Sequence, residues 1–329
     1  MKRTGMIGCG GIARTHIWAI KHLEDAKIAA LADTDIQKAK KLVEECLDEK
    51  VKIYQDYQEM ITSEGLDVVH ICTPHYLHVP MAIEALSKGI SVFMEKPPAI
   101  SMEQFQMLQN IARSNTAKLG FCFQNRYNQS TLVADEIIKS GRLGKVIGAR
   151  AFVTWRRDEE YYQSEWKGKL ETEGGGALIN QSIHTLDLLL RYFDEPTNVQ
   201  ASLLNHHLQG KVEVEDTVEA FMEFSHGERA CFYATTAYVT DAPNILEFEC
   251  EKGRLSIMDS IVTVKEKGKE ISYIPCKEKA GIGKSYWGSG HLSCIKDFYQ
   301  KLSSDEPFQN DIAGVEKTMK TMMRIYEFR

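Results

Sequence analysis

Six residues constrain this chain more than any others: Gly8-Cys9-Gly10-Gly11-Ile12-Ala13. They follow a short strand-like run, Thr4-Gly5-Met6-Ile7, and open a helical segment that continues through about His22. In a strand–turn–helix unit with this G-x-G-x-x-A pattern, the first glycine permits the tight turn. The second lets the backbone approach a pyrophosphate, and the small sixth residue lets helix and strand pack closely. The helix start then points its N–H groups at the phosphates. A second strand, Ile28–Ala32, ends at Asp33. A carboxylate at this distance accepts hydrogen bonds from an adenine-side ribose diol and repels a 2′-phosphate. Thr34 and Asp35 follow with no arginine beside them, so NAD is expected over NADP. The alternative for Asp33 is a cap on the helix expected over Asp35–Leu47.

The alternation of strand and helix continues. A short helix is expected over Tyr57–Ser63, a buried strand over Val68–Cys72 ending in Thr73-Pro74, and an amphipathic helix from His78 to Leu86, closed by Gly89. Ile90–Met94 reads as a buried strand, Ser101–Arg113 as a helix capped by Ser101, and Lys118–Cys122 as the last strand of this half. The pattern predicts an α/β, Rossmann-like, doubly wound parallel sheet over residues 1–122.

Residues 123–329 read differently. Strands are expected over Lys145–Arg156, Asn198–Asn205, Asp216–Ser225, Glu228–Tyr238 and Ile245–Cys250. Val218, Ala220, Met222 and Phe224 alternate with Thr217, Glu219, Phe221 and Glu223, a period of two with one apolar face. With terminal helices at Ser293–Leu302 and Asp311–Tyr326, this predicts an α+β domain with a large, mainly antiparallel open sheet. Its roles are expected to be substrate binding and oligomerisation, the open face pairing with a second subunit.

Two clusters carry candidate chemistry. Glu95-Lys96-Pro97-Pro98 follows the strand ending at Met94, at the carboxyl edge where such sheets bind ligands. A lysine held extended before proline and partly desolvated is suited to acid–base work, although a surface turn capped by prolines fits the same residues. The second cluster is Gly174-Gly175-Gly176 followed by a helix over Ala177–Leu190. Asn180 and His184 are four apart and share a face, and Asp187 stands three beyond His184. The glycines are expected to let the backbone approach a ligand. His184 is either a proton carrier or a core histidine bonded to a carboxylate.

Composition excludes several classes. A net charge of -6 argues against nucleic acid as a partner. The eight cysteines are scattered with no C-x-x-C pair, and His206-His207 has no partner at ligand spacing, so no metal is expected. No run approaches membrane-spanning length, and Met1-Lys2-Arg3 leads into a strand with no room for a signal peptide. The expectation is a cytoplasmic protein with reduced thiols.

Taken together, Gly8–Ala13, Thr73-Pro74 with His78, Glu95-Lys96-Pro97, Gln124-Asn125-Arg126-Tyr127, Gly174-Gly175-Gly176 and His184-Thr185-Leu186-Asp187 resemble the Gfo/Idh/MocA family, the glucose–fructose oxidoreductase and inositol dehydrogenase superfamily. The resemblance covers nearly the whole chain. It implies NAD(P)-dependent hydride transfer at a hydroxyl-bearing carbon of a sugar, polyol or related cyclic diol, and a homodimer or homotetramer. It implies cofactor contacts from Gly8, Gly10, Gly11, Ile12, Ala13, Asp33, Thr73, Pro74, His78, Glu95 and Lys96. It further implies Lys96 and His184 as the catalytic pair. Family members often carry an aspartate four residues before that histidine. This chain has Asn180, which can hydrogen-bond a substrate hydroxyl but cannot take its proton. Arg126 matches a family position facing substrate, with an interdomain salt bridge as the alternative. Trp166 is expected to meet a sugar ring, whereas Tyr161 and Tyr162 are expected in a packing loop. Two other activities fit the same resemblance: nicotinamide-assisted glycoside cleavage or epimerisation, and a non-catalytic sensor.

Overall fold

The computed structural model describes residues 1–47, 51–276 and 289–329. The chain forms two compact units, Met1–Tyr127 with Ala280–Val315, and Asn128–Lys279 with Glu316–Arg329.

The first unit is built on six parallel strands: β1 (Lys2–Ile7), β2 (Ala26–Ala32), β3 (Lys52–Tyr54), β4 (Val68–Ile71), β5 (Ser91–Met94) and β6 (Leu119–Phe121). Their order is β3-β2-β1-β4-β5-β6, so the winding direction reverses between β1 and β4. The apolar runs of β4 and β5 are buried nearly throughout, as a sheet covered on both faces requires. Helix Ile36–Cys46 is capped by Asp35, whose side chain accepts from Gln37 N–H. Ser101 caps Met102–Arg113 through Gln104 N–H, and Gly89, at φ +75°, follows the helix His78–Ser87. β3 was not expected; three residues are too short to display a period.

The expected division at residue 122, with 123–329 as one domain, is corrected in one respect. The chain returns to the first unit, where helix His291–Lys301 sends Cys294, Ile295 and Phe298 into the core around Phe93 and Cys122. An amphipathic pattern marks the apolar face of a helix but not which core it covers.

The second unit carries an eight-stranded sheet: β7 (Val146–Thr154), β8 (Asn198–Leu204), β9 (Thr217–Glu223), β10 (Arg229–Thr235), β11 (Ile245–Cys250), β12 (Gly253–Met258), β13 (Ile261–Glu266) and β14 (Ile271–Pro275). The order is β14-β13-β12-β11-β7-β10-β9-β8, and every pairing is antiparallel except β7 with β10. Val218, Ala220, Met222 and Phe224 are buried, as the alternation requires. Thr217 is also buried, because its hydroxyl pairs with Thr235 and Asp216. Strands β12–β14 and helix Gln129–Lys139 extend the expected plan. The last helix begins at Glu316 rather than Asp311, since Asp311 accepts from Gly314 N–H in a turn before it.

Candidate active site

At the carboxyl edge of the first sheet, Gly8 has φ +88°, and a Cβ there would lie 2.7 Å from Cys72 O. Only glycine fits that position. At Gly10 and Gly11 a Cβ would meet nothing within 4 Å, so the turn is open on the side a ligand would approach. Ile12 stands at the N-cap of helix Ala13–Lys21 and offers no side-chain oxygen to the first-turn N–H groups. Ala13 is fully buried. Cys9 N–H donates to Asp33 Oδ2 at 2.7 Å, and Asp35 N–H donates to Asp33 Oδ1 at 2.8 Å. Asp33 therefore anchors the glycine turn to the end of β2, while the cap role belongs to Asp35. An open glycine turn, an uncapped helix start and a fixed carboxylate suit a dinucleotide.

Thr73 and Pro74 lie half-buried just past β4. His78 is fully buried, with Nδ1 2.8 Å from Pro97 O and Nε2 3.0 Å from Thr73 O. Both ring nitrogens face carbonyl oxygens, so His78 ties the loops after β4 and β5 together.

Lys96 follows β5 and is half-buried, and the Lys96–Pro97 bond is cis. Its backbone N–H donates to Glu95 Oε2 at 3.3 Å, and Glu95 Oε1 lies 2.9 Å from His16 Nε2. Glu95 is buried and pairs with His16. The contacts continue from His16 Nδ1 to His70 Nδ1 (2.8 Å), His70 Nε2 to Tyr299 OH (3.1 Å), and Tyr299 OH to Thr4 Oγ1 (2.7 Å). Burial works to lower the His16 pKa, but hydrogen bonds to Cys122 and Glu95 outweigh it and raise it to about 9. Burial keeps the Cys122 thiol protonated, so Glu95 is the anion of the pair. Burial raises the Glu95 carboxyl, yet His16 more than offsets this and holds it well below the usual range. Burial and the His16 charge hold His70 neutral. His16, Glu95 and Cys122 place one ligand-type atom each within 4.8 Å of one another. Both His16 nitrogens are engaged by Glu95 and His70, which favours hydrogen bonding over coordination there.

Arg126 is buried within the first unit. Its Nη1 donates to Gln309 O (2.7 Å) and Asn310 Oδ1 (3.2 Å), and Nη2 donates to Gly314 O (2.9 Å). Through these bonds the guanidinium organises the 309–314 loop.

In the second unit the expected helix is broken into a π-helical turn, Ala177–Ser182, an α-helix, Ile183–Leu189, and a 3₁₀ turn, Leu190–Tyr192. Glu215 Oε1 accepts N–H bonds from Gly176 and Leu178, and Ser182 Oγ donates to Ala177 O, which stabilises the wider turn. Such turns recur at functional sites. Asn180 lies in it and His184 just beyond, both half-buried. Asp187 is buried and accepts from Thr318 at 2.7 Å.

The glycine triplet has a different cause from the one expected. Gly174, at φ +85°, closes the helical turn Leu170–Glu173. A Cβ on Gly175 would lie 2.0 Å from Tyr326 OH, and one on Gly176 would lie 2.1 Å from Glu215 O. The protein's own packing, rather than a ligand, requires these glycines.

Two contacts at Asn180 were not expected. Its Nδ2 donates to Glu173 Oε1 and lies 3.2 Å from Tyr161 OH, which also accepts from Gln181 Nε2 at 2.7 Å. Tyr161 thus joins Asn180 rather than only packing. The Lys167 ammonium lies 3.6 Å from the Tyr161 ring centroid, and half-buried Trp166 accepts at its carbonyl from Thr172. The sequence signal for Glu173 was slight: a carboxylate directly before three glycines. His206 and His207 both donate backbone N–H to Asp216.

A β3-β2-β1-β4-β5-β6 parallel sheet with this glycine turn and anchored carboxylate defines a dinucleotide-fold protein, here joined to an α+β unit. The chain belongs to the Gfo/Idh/MocA oxidoreductase family. The model of its NAD-binding Rossmann fold matches residues 2–123, and a Gfo/Idh/MocA C-terminal domain model matches residues 131–256. Glucose-6-phosphate 3-dehydrogenase of Bacillus subtilis is 26% identical over 227 residues, 68% of this chain and 63% of that protein. D-Glucoside 3-dehydrogenase of Escherichia coli is 29% identical over 225 residues, 68% of this chain and 62% of that protein. The matches thus span less than two thirds of these relatives. The solved structure of the WlbA dehydrogenase from Bordetella pertussis, in complex with NADH and UDP-GlcNAcA, shares the fold, with a TM-score of 0.83 over 99% of this chain and 95% of that one at 24% identity. No helix among the described residues is long and apolar enough to cross a membrane.

Proposed function

We propose that this chain is an NAD-dependent oxidoreductase that transfers a hydride between nicotinamide and a hydroxyl or carbonyl carbon of a sugar, polyol or related cyclic diol. One observation carries the reading: the same sheet edge bears the open glycine turn with anchored Asp33 and, after β5, Lys96 seated on buried Glu95. The sugar 3-dehydrogenases among the relatives support a sugar-like substrate.

Gly8, Gly10, Gly11, Ile12, Ala13, Asp33, Thr73 and Pro74 would hold the dinucleotide, with Asp33 favouring NAD over NADP. Bound NAD supplies the hydride acceptor. Oxidising an alcohol also requires its hydroxyl proton to leave. The Lys96 ammonium stabilises the developing alkoxide, and neutral His184 takes the proton. In the reverse direction His184 returns it. Asn180 bonds a substrate hydroxyl, and Trp166 offers an aromatic face to the ring. The open sheet face, with Met258, Ile271 and Tyr273 exposed, supports a homodimer or homotetramer formed through it.

A sugar and polyol panel with NAD and NADP, read at 340 nm, tests the reading. NADH formation is expected. Glycoside cleavage without net NADH would replace it with a hydrolase, and sugar binding without turnover would replace it with a sensor.

A further inference from the structure

A helix leaves its first four N–H groups without partners inside itself, and a side chain at the preceding residue usually meets some of them. Gly176, at the start of the segment that carries His184, has no side chain to offer. Two distant residues serve instead. Gly176 N–H and Leu178 N–H each donate to Glu215 Oε1 at 3.0 Å, and Ala177 N–H donates to the Glu215 carbonyl at 2.9 Å. Ile179 N–H donates to Tyr326 OH at 3.2 Å, and that hydroxyl donates to Glu215 Oε1 at 2.9 Å. All four groups are met, and the first bond within the segment follows, from Asn180 N–H to Gly176 O at 3.1 Å.

The cap is itself held in place. Glu215 is buried, and the bare Cα of Gly175 leaves room for the Tyr326 hydroxyl. The Arg329 guanidinium lies 4.2 Å from the Tyr326 ring centroid and donates to Gly174 O at 3.2 Å. Beyond His184, Thr318 Oγ1 donates to Asp187 Oδ1 at 2.7 Å, and both residues are buried. Thr318 and Tyr326 belong to one helix, Glu316–Tyr326, so His184 stands between two attachments to the same element.

We infer that this helix is a clamp that positions His184: Tyr326, with Glu215, fixes where the His184 segment begins, and Thr318, through Asp187, fixes how it is turned. The π-helical turn Ala177–Ser182 makes the first attachment matter. Such a turn holds one residue more than an α-helical turn. If it reverted, everything after it would rotate by about 100° and shift by about 1.5 Å. A misplacement of that size at a reacting group costs one to two orders of magnitude in rate, roughly 10²-fold per 1 Å.

The clamp rests on the proposed dehydrogenase reading for what His184 does, but where His184 sits is tested without it. In the full-length, ligand-free protein the ring resonances of His184 are followed by NMR and assigned by their loss in His184→Gln. They should move in Tyr326→Phe and in Thr318→Val, while those of His226, exposed on the turn between β9 and β10, stay in place. A His184 ring unmoved in both variants overturns the inference. On whichever sugar or polyol gives NADH, each variant should lower kcat about tenfold with the KM for NAD within about threefold, and Thr318→Ser, which keeps the hydroxyl, should recover most of the loss. Normal kcat in both variants, or a Thr318→Ser no better than Thr318→Val, also overturns it. A ring that moves in a protein that oxidises no sugar supports the clamp and defeats the dehydrogenase reading alone. Should Tyr326→Phe fail to fold, Thr318→Val, which keeps the side-chain volume, carries both readouts.

Discussion

His16 and Glu95 form a buried ion pair at 2.9 Å, one residue before Lys96. The pair lies at the end of a polar file that runs through His70 and Tyr299 to Thr4. Charge in a core is tolerated only when paired and hydrogen-bonded, and both conditions are met here.

Removing one partner strands the other. His16→Gln should cost roughly 3–5 kcal/mol, read by chemical denaturation near neutral pH. The His16 pKa is raised to about 9, so its contribution is complete below about 6.5 and lost as pH rises through about 9. The Glu95 carboxyl is depressed, so its contribution is present above about 4.5 and lost toward acid. The stability difference between wild type and His16→Gln should therefore shrink between about pH 6.5 and 9; a difference independent of pH would show that His16 is neutral. EDTA should leave the melting temperature unchanged, whereas a fall would make His16, Glu95 and Cys122 a metal site.

Asp33→Ala should weaken NAD binding about tenfold and narrow the preference over NADP. Asp35→Ala, which removes the true helix cap, should instead cost about 1 kcal/mol of stability with the cofactor preference unchanged. Titration calorimetry with both dinucleotides separates them. An unchanged preference in Asp33→Ala would leave Asp33 only its structural contacts with Cys9 and Asp35.

The glycines divide in the same way. Gly10→Ala meets no atom within 4 Å, so the melting temperature should hold while NAD affinity falls. Gly176→Ala drives a methyl to 2.1 Å from the Glu215 carbonyl and should destabilise by about 1–3 kcal/mol or more. Paired melts with and without NAD would show whether the two glycine groups have these separate causes.

Much of this was legible from pattern alone. The turn Gly8–Ala13, the strand ends at Asp33 and Met94, and the caps at Ser101 and Gly89 rest on local rules of φ, period and side-chain oxygen placement, and the structure keeps them. What escaped depended on distant partners. Glycines 175 and 176 face Tyr326 and Glu215, and Arg126 faces carbonyls near residue 310. The π-helical turn arises from Glu215, about forty residues away. A window of sequence carries no such contact. Glu173 and Tyr161 were near in sequence yet unreadable, because side-chain direction after an irregular turn has no period.

The central claim is that Lys96 and His184 handle the proton of a substrate hydroxyl. NADH formation at 340 nm, on the best substrate of the panel, tests it most directly in wild type, Lys96→Ala and His184→Ala with matched melting temperatures. Each variant should lose turnover by about 10²-fold or more. Near-normal turnover in both would contradict the account.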